Sequence, residues 1–191
     1  KEMQLYMVEL FYFEGLDFLD ILETQLSDWD QVQILGILKK LENQDIPNIK
    51  SWLNSENDSV IIFALKLAKT YNQFEAKDEI ILLLNHKNKK IRLESIDVLN
   101  YLNVVEAKDI LKTDIDNRSH EEQIAFFIMM ENLYESNDES FVIKYVHNEI
   151  FEIMVSALKI LKALNKTKFN NLIAESSDSH FLRIANFIEK N

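Results

Sequence analysis

The sequence predicts an all-α fold, a right-handed α–α superhelix (solenoid) of about six helical hairpins. Three observations lead there. Only two glycines and one proline occur in 191 residues, against ordinary usage of roughly 7% and 5%. Most β-rich or doubly wound folds need the positive-φ turns that glycine supplies. The apolar residues recur with a helical period, and one apolar frame returns along the chain at a nearly constant spacing.

Taken from the amino terminus, Met3, Leu5, Tyr6, Val8, Leu10 and Phe11 predict a helix over 3–13, left over from an upstream repeat within residues 1–14. Hairpins follow at about 15–43, 46–72, 74–103, 105–135, 138–165 and 167–191, so that 1–191 reads as a single repeat domain. The first helix of each is expected at 15–27, 46–55, 74–86, 105–116, 138–148 and 167–176. Short polar turns then lead into the second helices: SDWD (27–30), SEND (55–58), NHKN (85–88), DNRS (116–119), HNE (147–149) and SSDS (176–179). Asp, Asn and Ser in these turns accept hydrogen bonds from the free N–H groups that open a helix. Pro47, the lone proline, falls in a first turn, where its missing N–H costs little.

The frame is clearest in three second helices, each centred on a small residue. Ser95 stands with Ile91, Leu99 and Leu102; Ala157 with Ile153, Leu161 and Leu164; Ala64 with Val60, Ala68 and Tyr71. Offsets of −4, +4 and +7 share one helical stripe. Further units centre on Gly36 with Val32, on Ala185 with Phe181, and on Phe126 with Met130 and Leu133. Centres at 36, 64, 95, 126, 157 and 185 are 28, 31, 31, 31 and 28 residues apart. Val60, Ala64, Ala68, Ile91, Ser95, Leu99, Ile153, Ala157 and Leu161 are therefore the expected core. The segments VIIFALKLA (60–68) and IAFFIMM (124–130) are apolar nearly all round, as a helix covered on several sides must be.

The polar turn followed by NKKIRLESIDVLNYL resembles the second helix of a HEAT repeat, whose pattern runs Asp, then Val-Arg, then Ala and Leu. Asn88 stands at the Asp position, Ile91-Arg92 at Val-Arg and Ser95 at Ala. The other units hold Gln33, Ile61, Met154 and Leu182 at the Arg position. The resemblance covers nearly the whole chain and implies an armadillo-like α-solenoid. It carries over no functional residue. It is similar in style to bacterial HEAT-repeat proteins tethered to membranes by an amino-terminal helix. A chain opening at Lys1 inside a helical segment is expected to be a fragment of a longer one.

Composition narrows the chemistry. With no cysteine, disulfides, thiolate catalysis and Cys-based zinc sites are excluded. Neither cofactor nor metal is expected. His86, His120, His147 and His180 each sit at a turn of a successive repeat, and helices packed about 8–10 Å apart hold such nitrogens too far apart for zinc ligands near 2.1 Å. Glu121-Glu122 and Asp138-Glu139 open helices, where negative charge complements the dipole. No Gly-rich phosphate loop, G-x-S-x-G or H-E-x-x-H occurs. The longest apolar runs, Val60–Leu65 and Ile124–Met130, fall short of the roughly 20 residues that span a bilayer.

Charge points to protein partners. The formal net charge is −11, the wrong sign for a general nucleic-acid binder. Lys+Arg less Asp+Glu gives 4 − 11 = −7 for residues 1–57, 11 − 16 = −5 for 58–148 and 6 − 5 = +1 for 149–191. The acidic third offers Asp17, Asp20, Glu23, Asp28 and Asp30 as a partner-facing patch. Lys87, Lys89, Lys90 and Arg92 form the one basic cluster, a candidate for an anion, a headgroup or an acidic partner. Trp29 and Trp52, with Phe11, Phe13 and Phe18, are assigned to the first interfaces of the stack.

The function expected is a non-catalytic scaffold or adaptor that holds a protein or peptide on a concave face. No nucleic acid is expected, and a membrane only through an upstream anchor outside this chain. The cytoplasm, or the cytoplasmic side of a membrane, is the favoured location. The alternatives are an enzyme on a HEAT-like frame such as a DNA-repair glycosylase, which needs a basic aromatic groove and a catalytic acid, and a structural arm spacing a membrane anchor from a partner.

Overall fold

A computed structural model describes residues 25–38, 46 and 49–190. Among these the chain is all-helical, with eleven α-helices, short 3₁₀ turns and no strand. It divides into two compact units, residues 1–102 and 103–191.

The first unit contains α1 (Asp28–Leu38), α2 (Ile49–Leu53), α3 (Asp58–Thr70), α4 (Lys77–Leu82) and α5 (Lys89–Tyr101). Helix α3 packs against α2 and α5, and α5 also against α4. From Ser59 to Leu65, and again at Leu67 and Ala68, α3 is buried, as its unbroken apolar sequence requires. Asn57 caps α3 by accepting from the Ser59 N–H at 3.0 Å, and Asn88 caps α5 through the Lys90 N–H at 2.9 Å. Past their ends, Asn72 and Asn103 take positive φ, 51° and 57°, a left-handed conformation that asparagine tolerates better than most residues.

The second unit contains α6 (Val105–Lys112), α7 (His120–Leu133), α8 (Glu139–Val142), α9 (Phe151–Leu164), α10 (Lys166–Glu175) and α11 (Ser179–Lys190). Helix α9 packs against α7, α8, α10 and α11. A capping box opens α7, Ser119 and Glu122 satisfying one another's ends. Asp178 caps α11 through the His180 N–H at 2.9 Å. The 147–149 turn differs from the expected cap: α9 starts after Ile150, which offers no side-chain oxygen. Asn148 accepts from the Ile150 N–H at 2.8 Å instead. Phe126, Phe127, Phe141 and Tyr145 pack ring on ring here, with centroids 4.8–6.3 Å apart.

All nine expected core residues are buried. The Gly36 centre is corrected. Val32 is 58% exposed, and a Cβ built on Gly36 meets nothing within 4 Å; the buried centre of α1 is Ile34. The second helices begin at 28, 58, 89, 120, 151 and 179, so their starts are 30, 31, 31, 31 and 28 residues apart. The seventh residue of each, Ile34, Ala64, Ser95, Phe126, Ala157 and Ala185, is buried in all six. The shifted frame has a physical origin: α1 starts at Asp28 inside the expected SDWD turn, and 25–27 are not helical. Further corrections fall on the first helices. The 46–55 helix is α2 alone, and the 138–148 helix is four residues of α8 between 3₁₀ turns. Pro47, the 3–13 helix and most of 15–27 lie outside the described residues.

The corrected frame also moves the position in α1 equivalent to Arg92 from Gln33 to Gln31, the fourth residue. Three fourth-position side chains donate to a carbonyl just before their own helix: Gln31 to Leu26 at 3.2 Å, Arg92 to His86 at 2.8 Å and Gln123 to Arg118 at 3.1 Å. At this position glutamine and arginine alike tie the turn to the helix.

Candidate interaction face

In α3, α5, α7 and α9 the third, seventh and eleventh residues are buried, and in α11 Phe181, Ala185 and Ile188 are, so residues near the ninth and twelfth positions of these helices face solvent. In the first unit this face holds Lys66, Lys69, Asp97 and Tyr101. Lys69, the twelfth residue of α3, pairs with Asp97, the ninth of α5, and its ammonium lies 5.7 Å from the Tyr101 ring centroid. Lys66 donates to Gln31 Oε1 at 2.9 Å.

In the second unit the signs reverse. Glu131, the twelfth residue of α7, accepts from Lys159, the ninth of α9, at 3.0 Å. Ser156 also donates to Glu131. Lys162 donates to the carbonyls of Ile188 and Glu189 at 2.6 and 3.1 Å, where the negative end of the α11 dipole stabilises a cation. The ninth residues of the flanking helices are large and apolar: Ile128 on α7 is 51% exposed and Phe187 on α11 is 70% exposed. Because α9 contacts both neighbours, Lys159 stands between them on one face.

The sequence-predicted site residues are distributed differently. Asp17, Asp20 and Glu23 lie outside the described residues, as does the side chain of Asp30. Asp28 opens α1 and is exposed. Lys87, Lys89, Lys90 and Arg92 are brought together in the turn entering α5, with Lys87 and Lys90 exposed. Arg92 spends its guanidinium on that turn, donating to the carbonyls of His86 and Lys87 at 2.8 and 3.2 Å. An acid also reaches the turn: Asp58 Oδ2 accepts from Asn88 at 2.7 Å, and Asp58 Oδ1 lies 3.8 Å from His86 Nε2. Among the described residues no group of three or more His, Asp or Glu is arranged to hold a metal. His147 packs on Phe181 with centroids 4.6 Å apart. Trp52 is buried, while Trp29 is exposed.

Sequence reading missed a buried charge cluster in the second unit. Lys108 on α6 and Asp138 just before α8 both have fully buried side chains. The Lys108 ammonium donates to Leu133 O at 3.0 Å, Glu135 Oε2 at 2.8 Å and Asp138 Oδ2 at 3.0 Å. Asp138 also accepts from Lys112 and from the Glu135 N–H at 2.8 Å. Burial pushes the Lys108 pKa down, but the hydrogen bonds it donates to Glu135 and Asp138 outweigh it and leave it raised. Burial pushes Asp138 up, and its bonds to Lys112, the Glu135 N–H and Lys108 leave it lowered. Both groups stay charged. Through these bonds Lys108 ties α6 to the turn that precedes α8. A signal was present: Lys108 interrupts the stripe Val104, Ala107, Leu111 and Ile115, all buried, one repeat before Asp138. Burial likewise pushes the Tyr145 phenol upward, helped by its 2.6 Å bond to Asp116.

No protein-family model matches the chain, and no curated protein matches it significantly. No helix among the described residues is long and apolar enough to cross a membrane.

Proposed function

We propose that this chain is a non-catalytic scaffold of HEAT-like repeats that holds a protein partner on the exposed face of its second helices. The observation carrying this reading is the pair Ile128 and Phe187, large apolar residues at the solvent-facing ninth position of two helices that flank a third. Scattered exposed apolar residues are ordinary on any surface; two at the same repeat position on one face suit an interface.

The repeat frame supports the architecture. Among the described residues, side-chain hydrogen bonds such as Lys108 to the Leu133 carbonyl, 25 residues apart, and Lys66 to Gln31, 35 apart, join residues about one repeat apart. Links of that length between adjacent repeats are what a quasi-one-dimensional stack requires.

The test compares wild type with Ile128→Asp/Phe187→Asp, both verified as folded by circular dichroism, in crosslinked affinity purification from the source cells. Wild type is expected to retain a defined protein set that the double variant loses. Identical sets for the two chains, or none for either, would overturn the reading.

A further inference from the structure

The eighth residue of a second helix lies on the side turned to the following hairpin. Phe127, the eighth residue of α7, packs on Phe141 and Tyr145 of the next hairpin, with centroids 6.3 and 4.8 Å apart. Twelfth residues lean the same way, Lys69 toward Asp97 and Glu131 toward Lys159, each on the next second helix. The eleventh residue neighbours the eighth at a spacing of three. In α3, α5, α7 and α9 the eighth residues are Leu65, Ile96, Phe127 and Leu158, and the eleventh are Ala68, Leu99, Met130 and Leu161. All are apolar and at most 1% exposed. Helix α11 breaks the series: its eighth residue is Asn186 and its eleventh Glu189, both exposed. Its inward stripe is intact, since Phe181, Ala185 and Ile188 are buried, so the change is confined to the following side. Leu182, the fourth residue, is the apolar group left there, and it is half-buried. Beside it, α10 exposes Asn170, Asn171, Ala174 and Glu175.

We infer that α11 closes the stack: its following side is a polar end cap on which neither a further hairpin nor a partner packs, so the binding surface stops at the face carrying Ile128 and Phe187. This inference rests on the scaffold reading and sets the boundary of the surface that reading uses. A stack of repeats needs such an end, because an uncovered apolar flank would be open to water and to a second copy. An apolar neighbour packed on this side would bury the Asn186 amide and the Glu189 carboxylate without partners, which disfavours it. Phe187 belongs to the face and not to the end. It follows Asn186 by one residue and so points about 100° away around the helix.

The chain has no cysteine, so a single introduced thiol reports its own cover by its rate of reaction with N-ethylmaleimide. Asn186→Cys and Glu189→Cys, carried by the chain as its source cells produce it and labelled in fresh lysate, are expected to react within about threefold of the same chains unfolded in urea. Leu158→Cys, the eighth position one repeat earlier, is expected to react about a hundredfold more slowly than when unfolded. The label on Asn186→Cys should leave the set of captured proteins unchanged, whereas the label on Phe187→Cys should remove it. Protection of Asn186→Cys or Glu189→Cys by about tenfold or more would overturn the inference, whether a further hairpin, a second copy or a partner supplies the cover. Loss of capture on labelling Asn186→Cys would overturn it as well. In both cases slow labelling of Leu158→Cys leaves the scaffold reading standing. If Leu158→Cys labels as fast as Asn186→Cys, the repeat frame is wrong, and the scaffold reading falls with the cap.

Discussion

Lys108 and Asp138 show how a buried ion pair constrains this fold. Each is surrounded by enough partners to remain charged in the interior, and removing one strands the other. Asp138→Asn should cost about 3 kcal/mol, the low end for a broken buried pair, because Glu135 and the Leu133 carbonyl still hold the ammonium. Adding Lys108→Met should recover part of the loss, since no buried cation then lacks its countercharge; urea unfolding of both variants measures this. The pH dependence follows from the shifts. Asp138 is lowered from its ordinary 3.8, so its contribution is present above that value and lost as pH falls through the folded-state pKa. Lys108 is raised from 10.5, so its contribution is present below that value and lost as pH rises through the folded-state pKa. The difference in stability between wild type and Lys108→Met/Asp138→Asn should be flat between roughly pH 5 and 9 and change outside that window. A change centred near neutrality would show that other groups control the cluster.

At the scale of the element, the second helices are specified by a cap, a buried seventh residue and an inward stripe. Small residues at the seventh position, Ala64, Ser95, Ala157 and Ala185, are buried, and so is the Ser95 hydroxyl, which donates to the Ile91 carbonyl at 2.8 Å. Ala157 is fully buried on the helix that contacts α7, α8, α10 and α11. Ala157→Glu should therefore cost about 3 kcal/mol or more, because it buries a carboxylate without a partner and overfills a close contact. Thermal unfolding measures it, and a loss below about 1 kcal/mol would mean that α9 is packed differently. The first helices are shorter and broken by 3₁₀ turns. Their sequences carry fewer caps and narrower apolar stripes, so their ends are less sharply marked in the sequence than those of the second helices.

For the whole molecule, 32 acidic against 21 basic residues leave a self-repelling charge. Exposed ion pairs such as Lys69–Asp97 and Lys159–Glu131 contribute little to stability, so screening should relieve more repulsion than it removes attraction. Raising salt from low to about 0.5 M, where the Debye length is only a few ångströms, should raise the melting midpoint by about 2–4 °C, the shift expected for roughly 1 kcal/mol in a chain of this size. A fall in the midpoint would show that local pairs outweigh the net charge. The acidic patch has a comparable test. Asp17→Lys/Asp20→Lys/Glu23→Lys is expected to weaken partner capture at low salt, and unchanged capture would remove these residues from the interface.

The sequence by itself determined the all-helical class and five of the six helix centres, because a helix facing a core must repeat its apolar residues at 3.6-residue intervals wherever it lies. It also marked the caps at Asn57, Asn88, Ser119 and Asp178, whose short polar side chains act within their own turn. The sixth centre needed the structure. Gly36 and Ile34 are two residues apart and either fits a local periodicity, so only the start of α1 at Asp28 and the burial of Ile34 decide between them. The candidate face was decided in the same way. Ile128 lies inside the apolar run 124–130 and Phe187 carries no signal of its own, since nothing local distinguishes an apolar residue turned toward a neighbour from one turned toward solvent. The Lys108–Asp138 pair joins residues 30 apart, and an ion pair between elements becomes visible only when packing brings its partners together.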